Sequence, residues 1–145
     1  MKKPRKLPHL SQRDIDVLTI LWNSSHSMTA SQIVDASPDL TMNTVQAVLR
    51  KLLKNNLIEV ADIVYSGTVL SRSYLPAISS EDFAVAQLTD EYRRLKDRVS
   101  AASLFAAFID EETNSAKKEE EIEQLEQILQ AYKNSIQADS GEDTK

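Results

Sequence analysis

The chain has no cysteine. That excludes disulfides, thiolate metal sites and thiol redox chemistry. Its 145 residues include only two glycines and four prolines, so each breaker that does occur carries information. No apolar run approaches the roughly 18 residues that a membrane-spanning helix needs. The first ten residues are basic but lack the apolar stretch of a secretory signal. The two histidines, His9 and His26, fall in expected loops without ligand spacing and are read as surface residues. A Gly-rich phosphate loop, a nucleophile–His–acid set and metal-ligand spacing are all missing. The expectation is a cytoplasmic protein that is not an enzyme, with no cofactor, no metal and no membrane partner.

Acidic side chains are plentiful overall, 22 Asp and Glu against 17 Lys and Arg, but one stretch has none. It runs for 19 residues from Leu40 to Ile58. Within it Val45, Val48, Leu49, Leu52 and Leu53 recur at three- and four-residue intervals and share one helical face. The opposite face is centred on Asn43, Ala47, Arg50, Lys51 and Lys54, with Thr44 and Gln46 on its flanks. Amide, hydroxyl, methyl and cation are the groups that read base edges and grip phosphates. The charge partition agrees. Residues 1–76 hold nine Lys/Arg and six Asp/Glu, a net of +3, whereas residues 77–145 hold eight and sixteen, a net of −8. The first part can approach a polyanion and the second should avoid one.

Capping signals divide the first half. Ser11 with Asp14, and Thr29 with Gln32, are capping boxes that open two helices. Ile15, Leu18, Leu21 and Trp22 stripe the first, and Ala30, Ile33 and Val34 the second, which Ser37-Pro38 stops. Thr41 caps the third, acid-free helix. Three short helices in this order form a helix-turn-helix. After Asn55-Asn56 the pattern becomes β-branched. Leu57–Tyr65 and Val69–Leu75 read as strands around the turn Ser66-Gly67-Thr68, with Gly67 supplying positive φ. A hairpin placed there is the wing of a winged helix. Tyr65 and Tyr74 are read as strand-packing residues. Lys2, Lys3, Arg5 and Lys6 form a basic arm, either a solvated tail or a minor-groove arm.

The second half is helical. Ser79 or Ser80 caps a helix in which Val85, Leu88, Tyr92, Leu95 and Val99 form a three-four seam. Leu104, Phe105, Phe108 and Ile109 make a compact apolar segment. Ile122, Leu125, Leu129, Tyr132 and Ile136 form a second seam, with glutamates opposite. Two narrow seams are more apolar surface than one small helical unit easily hides. Each helix can cover the other within one chain or pair with the same helices of a second copy. The second is favoured, because helix-turn-helix proteins commonly bind two half-sites as symmetric dimers.

The chain resembles the penicillinase-repressor family of winged-helix regulators. The resemblance begins at LSQRDIDVLTILW (Leu10–Trp22) and continues through T-x-x-Q-I-V (Thr29–Val34). It is strongest at T-x-N-T-V-Q-A-V-L-R-K-L (Thr41–Leu52) and runs on through R-x-Y-x-P (Arg72–Pro76). It implies that Thr41, Asn43, Thr44 and Gln46 meet bases or nearby phosphates. Arg50, Lys51 and Lys54 then steer toward the backbone, and Arg72 joins the expected DNA contacts. Where the family often has a second threonine this chain has Ala47, whose methyl can still touch a thymine methyl. Palindromic operators of TACA/TGTA type are implied. So is inactivation by a sensor-controlled protease at an Asn-Phe bond in a dimerisation helix, whose counterpart here is Ala107-Phe108. The cysteine-rich metal switch of copper-responsive relatives has no counterpart.

The expected fold is mainly α (α+β). A basic arm (1–10) precedes a winged helix-turn-helix DNA-binding domain with a two-stranded wing (11–76). A helical dimerisation domain (77–137) and a polar disordered tail (138–145) follow. Val85, Leu88, Tyr92, Leu95, Phe105, Phe108, Ile122, Leu125, Leu129 and Tyr132 are the expected dimer contacts. The function implied is a homodimeric repressor on a double-stranded DNA operator. The alternative is a winged-helix interaction module whose third helix binds a protein.

Overall fold

The computed structural model describes residues 5–142. Two compact units divide between Arg93 and Arg94. The first contains α1 (Gln12–Asn23), β1 (Met28–Thr29), α2 (Ala30–Ala36), α3 (Met42–Lys54), β2 (Ile58–Ser66), β3 (Val69–Pro76) and most of α4 (Ser80–Leu95). The second contains α5 (Ala101–Glu111) and α6 (Ser115–Glu142).

Each helix of the helix-turn-helix starts where its cap requires. Ser11 and Thr29 make full capping boxes with Asp14 and Gln32, and Thr41 Oγ1 accepts from the Thr44 amide at 3.2 Å. Such caps satisfy amides that have no partner inside the helix. The end of α3 is equally specified. Asn56 adopts φ 57°, the Leu57 amide donates to the Leu52 carbonyl at 2.9 Å, and the Asn56 amide donates to Leu53. This is a Schellman closure with Asn in the left-handed position. Its accompanying apolar contact is between Leu52 and Leu57, both fully buried.

The apolar faces meet in one core: Val17, Leu18 and Leu21 of α1, Ile33 of α2, Val45, Val48, Leu49 and Leu52 of α3, then Leu57, Ile58, Ile78 and Phe83. Each fully buried Leu contributes about 1.5–3 kcal/mol. Trp22 joins the rim of this core. Its indole N–H donates to the Ile78 carbonyl at 2.9 Å, and its ring lies 5.2 Å from Phe83 at a tilt of 57°. Ile78, Phe83 and Ala86 are therefore buried within the first unit, and the expected boundary at residue 76 does not coincide with the division at Arg93. Ser79 caps α4, accepting from the Asp82 amide at 3.0 Å, and Val99 of the expected seam lies beyond the helix end.

The wing is the expected two-stranded hairpin, and a further short strand extends it into a three-stranded antiparallel sheet of order β1-β3-β2. The extra strand is Met28–Thr29, which pairs with Tyr74 and Ser73. An irregularity between Val60 and Asp62 bends β2. Gly67 turns the tip with φ 70°. Tyr65 does not pack as expected. It is 75% exposed, because the hairpin has outrun the core by that point.

In the second unit Ser100 caps α5 and the Asn114 side chain caps α6, accepting from the Lys117 amide at 3.1 Å. Lys117 and Glu112 pair at 3.2 Å across the link. No residue of α5 is buried, although its sequence is largely apolar. The α6 helix continues through Glu142, past residue 137 where a polar tail was expected. No proline interrupts it, and the Ser140 hydroxyl bonds back to the Ile136 carbonyl at 3.0 Å.

Candidate nucleic-acid interface

With Val45, Val48, Leu49 and Leu52 turned into the core, the geometry of α3 leaves Asn43, Gln46, Ala47, Arg50 and Lys54 exposed. These five form adjacent rows at three- and four-residue spacing, so they share one surface. Thr41 is exposed at the amino end and Thr44 is half-buried. The two threonines are coupled, for the Thr41 hydroxyl donates to Thr44 Oγ1 at 2.9 Å. Thr41 is thus first a helix cap, and its hydroxyl is committed within the chain.

Lys51 departs from the expected set. Its Nζ lies 2.6 Å from Asp14 Oδ2, and the Asp14 side chain is only 4% exposed. The carboxylate that closes the α1 capping box also accepts the Ser11 amide at 2.8 Å. Burial pushes the Asp14 carboxyl up, but the Lys51 ammonium and the Ser11 hydrogen bonds outweigh it and hold the group below the ordinary carboxylate range. Lys51 is therefore an anchor between α1 and α3 and not a free cation for a phosphate. Helical periodicity placed it on the polar face, and nothing local could show that an acid 37 residues earlier would claim it.

Arg5 is also committed. Its guanidinium donates to the Asn55 and Asn56 carbonyls at 2.7 and 3.0 Å, at the carboxyl end of α3. Those carbonyls are the negative pole of the helix, which a cation stabilises. Of the expected basic arm, Lys6 is exposed, and Lys2 and Lys3 lie outside the described residues.

Arg72 stands exposed on β3 opposite Ile63 and lines the same cleft as Gln46 and Arg50. It is the only cation in the sequence of the hairpin, which also carries Glu59 and Asp62. Several apolar side chains of the wing stand open: Ile63 is 60% exposed, Val69 64% and Leu70 59%. The wing thus contributes one guanidinium beside α3 and no basic row of its own.

The expected dimer contacts lie on the surface of a single chain. Val85, Leu88, Leu95, Phe105, Phe108, Ile122, Leu129 and Tyr132 are exposed, and Tyr92 and Leu125 are half-buried. The α4 helix has two apolar faces, one buried through Phe83 and Ala86 and one open through Val85 and Leu88. Phe83, absent from the seam pattern, is the residue the periodicity missed. Ala107 and Phe108 are both exposed on α5. No helix among the described residues is long and apolar enough to cross a membrane.

Three helices with a committed core face, an open polar-basic face on the third, and a hairpin behind it define a winged helix-turn-helix module. The family model described as "Penicillinase repressor" matches residues 10–131, and the chain belongs to that family of DNA-binding transcriptional repressors. No curated protein matches the sequence. Among solved structures, it is similar to the ferric uptake regulator Fur of Helicobacter pylori, at 23% identity and TM-score 0.40, over 48% of this chain and 46% of that one. This chain thus spans about half the length of that protein. It is similar to YodB of B. subtilis at 13% identity and TM-score 0.40, over 63% of this chain and 84% of that one. A MarR family regulator of Neisseria meningitidis, NMB1585, aligns at 19% identity and TM-score 0.39 over 90% of this chain and 81% of that one.

Proposed function

We propose that two copies of this chain pair through their helical surfaces and set two α3 helices on a palindromic operator related to TACA/TGTA. The observation that carries DNA reading is the exposed, acid-free row of Asn43, Gln46, Ala47, Arg50 and Lys54. Gln46 and Asn43 are suited to base edges, Ala47 to a thymine methyl, and Arg50, Lys54 and Arg72 to phosphates. Pairing is supported by open apolar side chains at helical spacing, with Leu88 60%, Phe108 50%, Tyr132 50% and Ile136 63% exposed. A helix apolar on most sides, as α5 is, belongs in a covered place. Sedimentation of the full chain with a palindromic duplex and with a half-site duplex tests the assembly. Two chains per palindrome are expected, and a single chain bound equally well to either duplex contradicts it.

The same proposal assigns release from DNA to cleavage of the Ala107–Phe108 bond by a sensor-controlled protease. The bond lies within α5, whose side chains are open, so local unwinding exposes it at modest cost. Cutting there separates Ile122, Leu125, Leu129 and Tyr132 from the DNA-binding unit. Immunoblots and mass spectrometry before and after induction test this step, and intact protein in derepressed cells rules it out. The open apolar wing favours a second reading, an interaction module that binds a protein through α3. Shallow salt dependence of binding would distinguish it from DNA reading.

A further inference from the structure

Between α2, α3 and β3 lies a cleft of about 390 Å³, wholly within the first unit. Its apolar lining includes the half-buried Met42 and Leu53 and the buried Leu49, and its polar lining includes Gln46, Arg50 and Arg72. Among the described residues, two guanidiniums border it and no Asp or Glu does. The volume is within the range of small-molecule sites, about 300–1,000 Å³.

We infer that this cleft binds a small amphipathic organic anion, a carboxylate on a compact apolar body, and that the bound anion competes with operator DNA. This inference rests on the assignment of Gln46 and Arg50 to the DNA interface. Two cations beside one concavity, with no acid lining it, favour an anion there. A planar carboxylate suits a guanidinium fork and accepts two parallel hydrogen bonds from it. A duplex phosphate can use the same arginines, but it is too polar to use the surface of Met42 and Leu53. An apolar body attached to the charge can cover that surface. Because Gln46 and Arg50 serve both ligands, occupancy by the anion removes two DNA contacts and adds a negative charge where phosphates must approach. Effector and operator then exclude each other, and the coupling is reciprocal.

Benzoate is the probe, with benzamide as its neutral isostere and acetate at equal ionic strength as the charge control. Binding is read first on the free full chain by amide chemical shifts, without DNA, so the result stands apart from the DNA assignment. Saturable shifts centred on residues 42–53 and 71–74 are expected with benzoate, weak ones with acetate and none with benzamide. Saturating benzoate is then expected to weaken operator binding by roughly tenfold or more. In Arg50→Gln and Arg72→Gln the benzoate shifts should weaken sharply while the remaining amide spectrum stays folded. The inference is overturned if the shifts scatter over the chain, if benzamide or acetate reproduces them, if both variants bind benzoate as the parent does, or if benzoate binds without loss of operator affinity.

Discussion

Lys51 Nζ sits 2.6 Å from the buried Asp14 carboxylate, tying the recognition helix to the cap of the first helix. The pair adds a charge-assisted contact between α1 and α3, while the burial of Val45, Val48, Leu49 and Leu52 sets the direction in which Gln46 and Arg50 face. Asp14→Asn keeps the shape and an acceptor for the Ser11 amide but removes the charge. It should cost about 1.5 kcal/mol at neutral pH, the low end for a charge-assisted hydrogen bond, because Lys51 is 38% exposed and solvent screens the pair.

The sign of the pH dependence follows from the depressed Asp14 titration. A carboxyl whose folded value lies below its unfolded one contributes stability that is complete above the unfolded value, near 3.9. That stability is lost as pH falls through the folded value. Urea unfolding of the parent and of Asp14→Asn across pH 2–7 should therefore give curves that converge on the acid side. A constant gap at all pH values would remove the ion pair from the account.

A salt series separates the two lysines of α3. Lys54→Ala should lower the log-log salt slope of DNA binding by about one unit and weaken all sequences alike. Lys51→Met should reduce stability and leave the slope nearly unchanged, since its charge is already committed to Asp14. Equal slope changes in both variants would return Lys51 to the phosphate contacts.

Phe83 predicts how α4 is held. Its side chain is 2% exposed and packs against Trp22, so Phe83→Ala should cost about 3–5 kcal/mol. Val85→Ala, on the open face, should leave monomer stability almost unchanged and act on self-association instead. Denaturant melts at low protein concentration, set beside sedimentation, resolve the two effects.

Leu125 reports on pairing. It is half-buried in one chain, between the exposed Ile122 and Leu129 on α6. If a second copy completes its burial, Leu125→Ala should weaken dimerisation by about 2–5 kcal/mol, and operator affinity should fall with it. A variant that remains dimeric at low micromolar concentration would place the interface elsewhere.

Local signals carried most of the fold. Ser11, Thr29 and Thr41 cap the helices that their side chains announce, and Gly67 turns the hairpin. What stayed hidden depends on contacts between distant segments. The strand Met28–Thr29 is too short for a periodic pattern and exists only because Ser73 and Tyr74 lie alongside. Phe83 lay off the three-four seam, yet the indole of Trp22 makes its burial possible. In the site, the exposed row of α3 was readable from periodicity. The loss of Lys51 to Asp14 and the convergence of Arg50 and Arg72 on one cleft were not, since each joins residues from different elements.

The most direct test of base reading by α3 is competition binding of a TACA/TGTA palindrome against random duplex, for the parent and for Gln46→Ala, across a salt series. A log-log salt slope of several units and clear preference for the palindrome are expected of the parent. Gln46→Ala is expected to lose about 1–3 kcal/mol of that preference while keeping its affinity for random DNA. Unchanged discrimination in Gln46→Ala, or a parent whose binding barely responds to salt, would contradict base reading by α3.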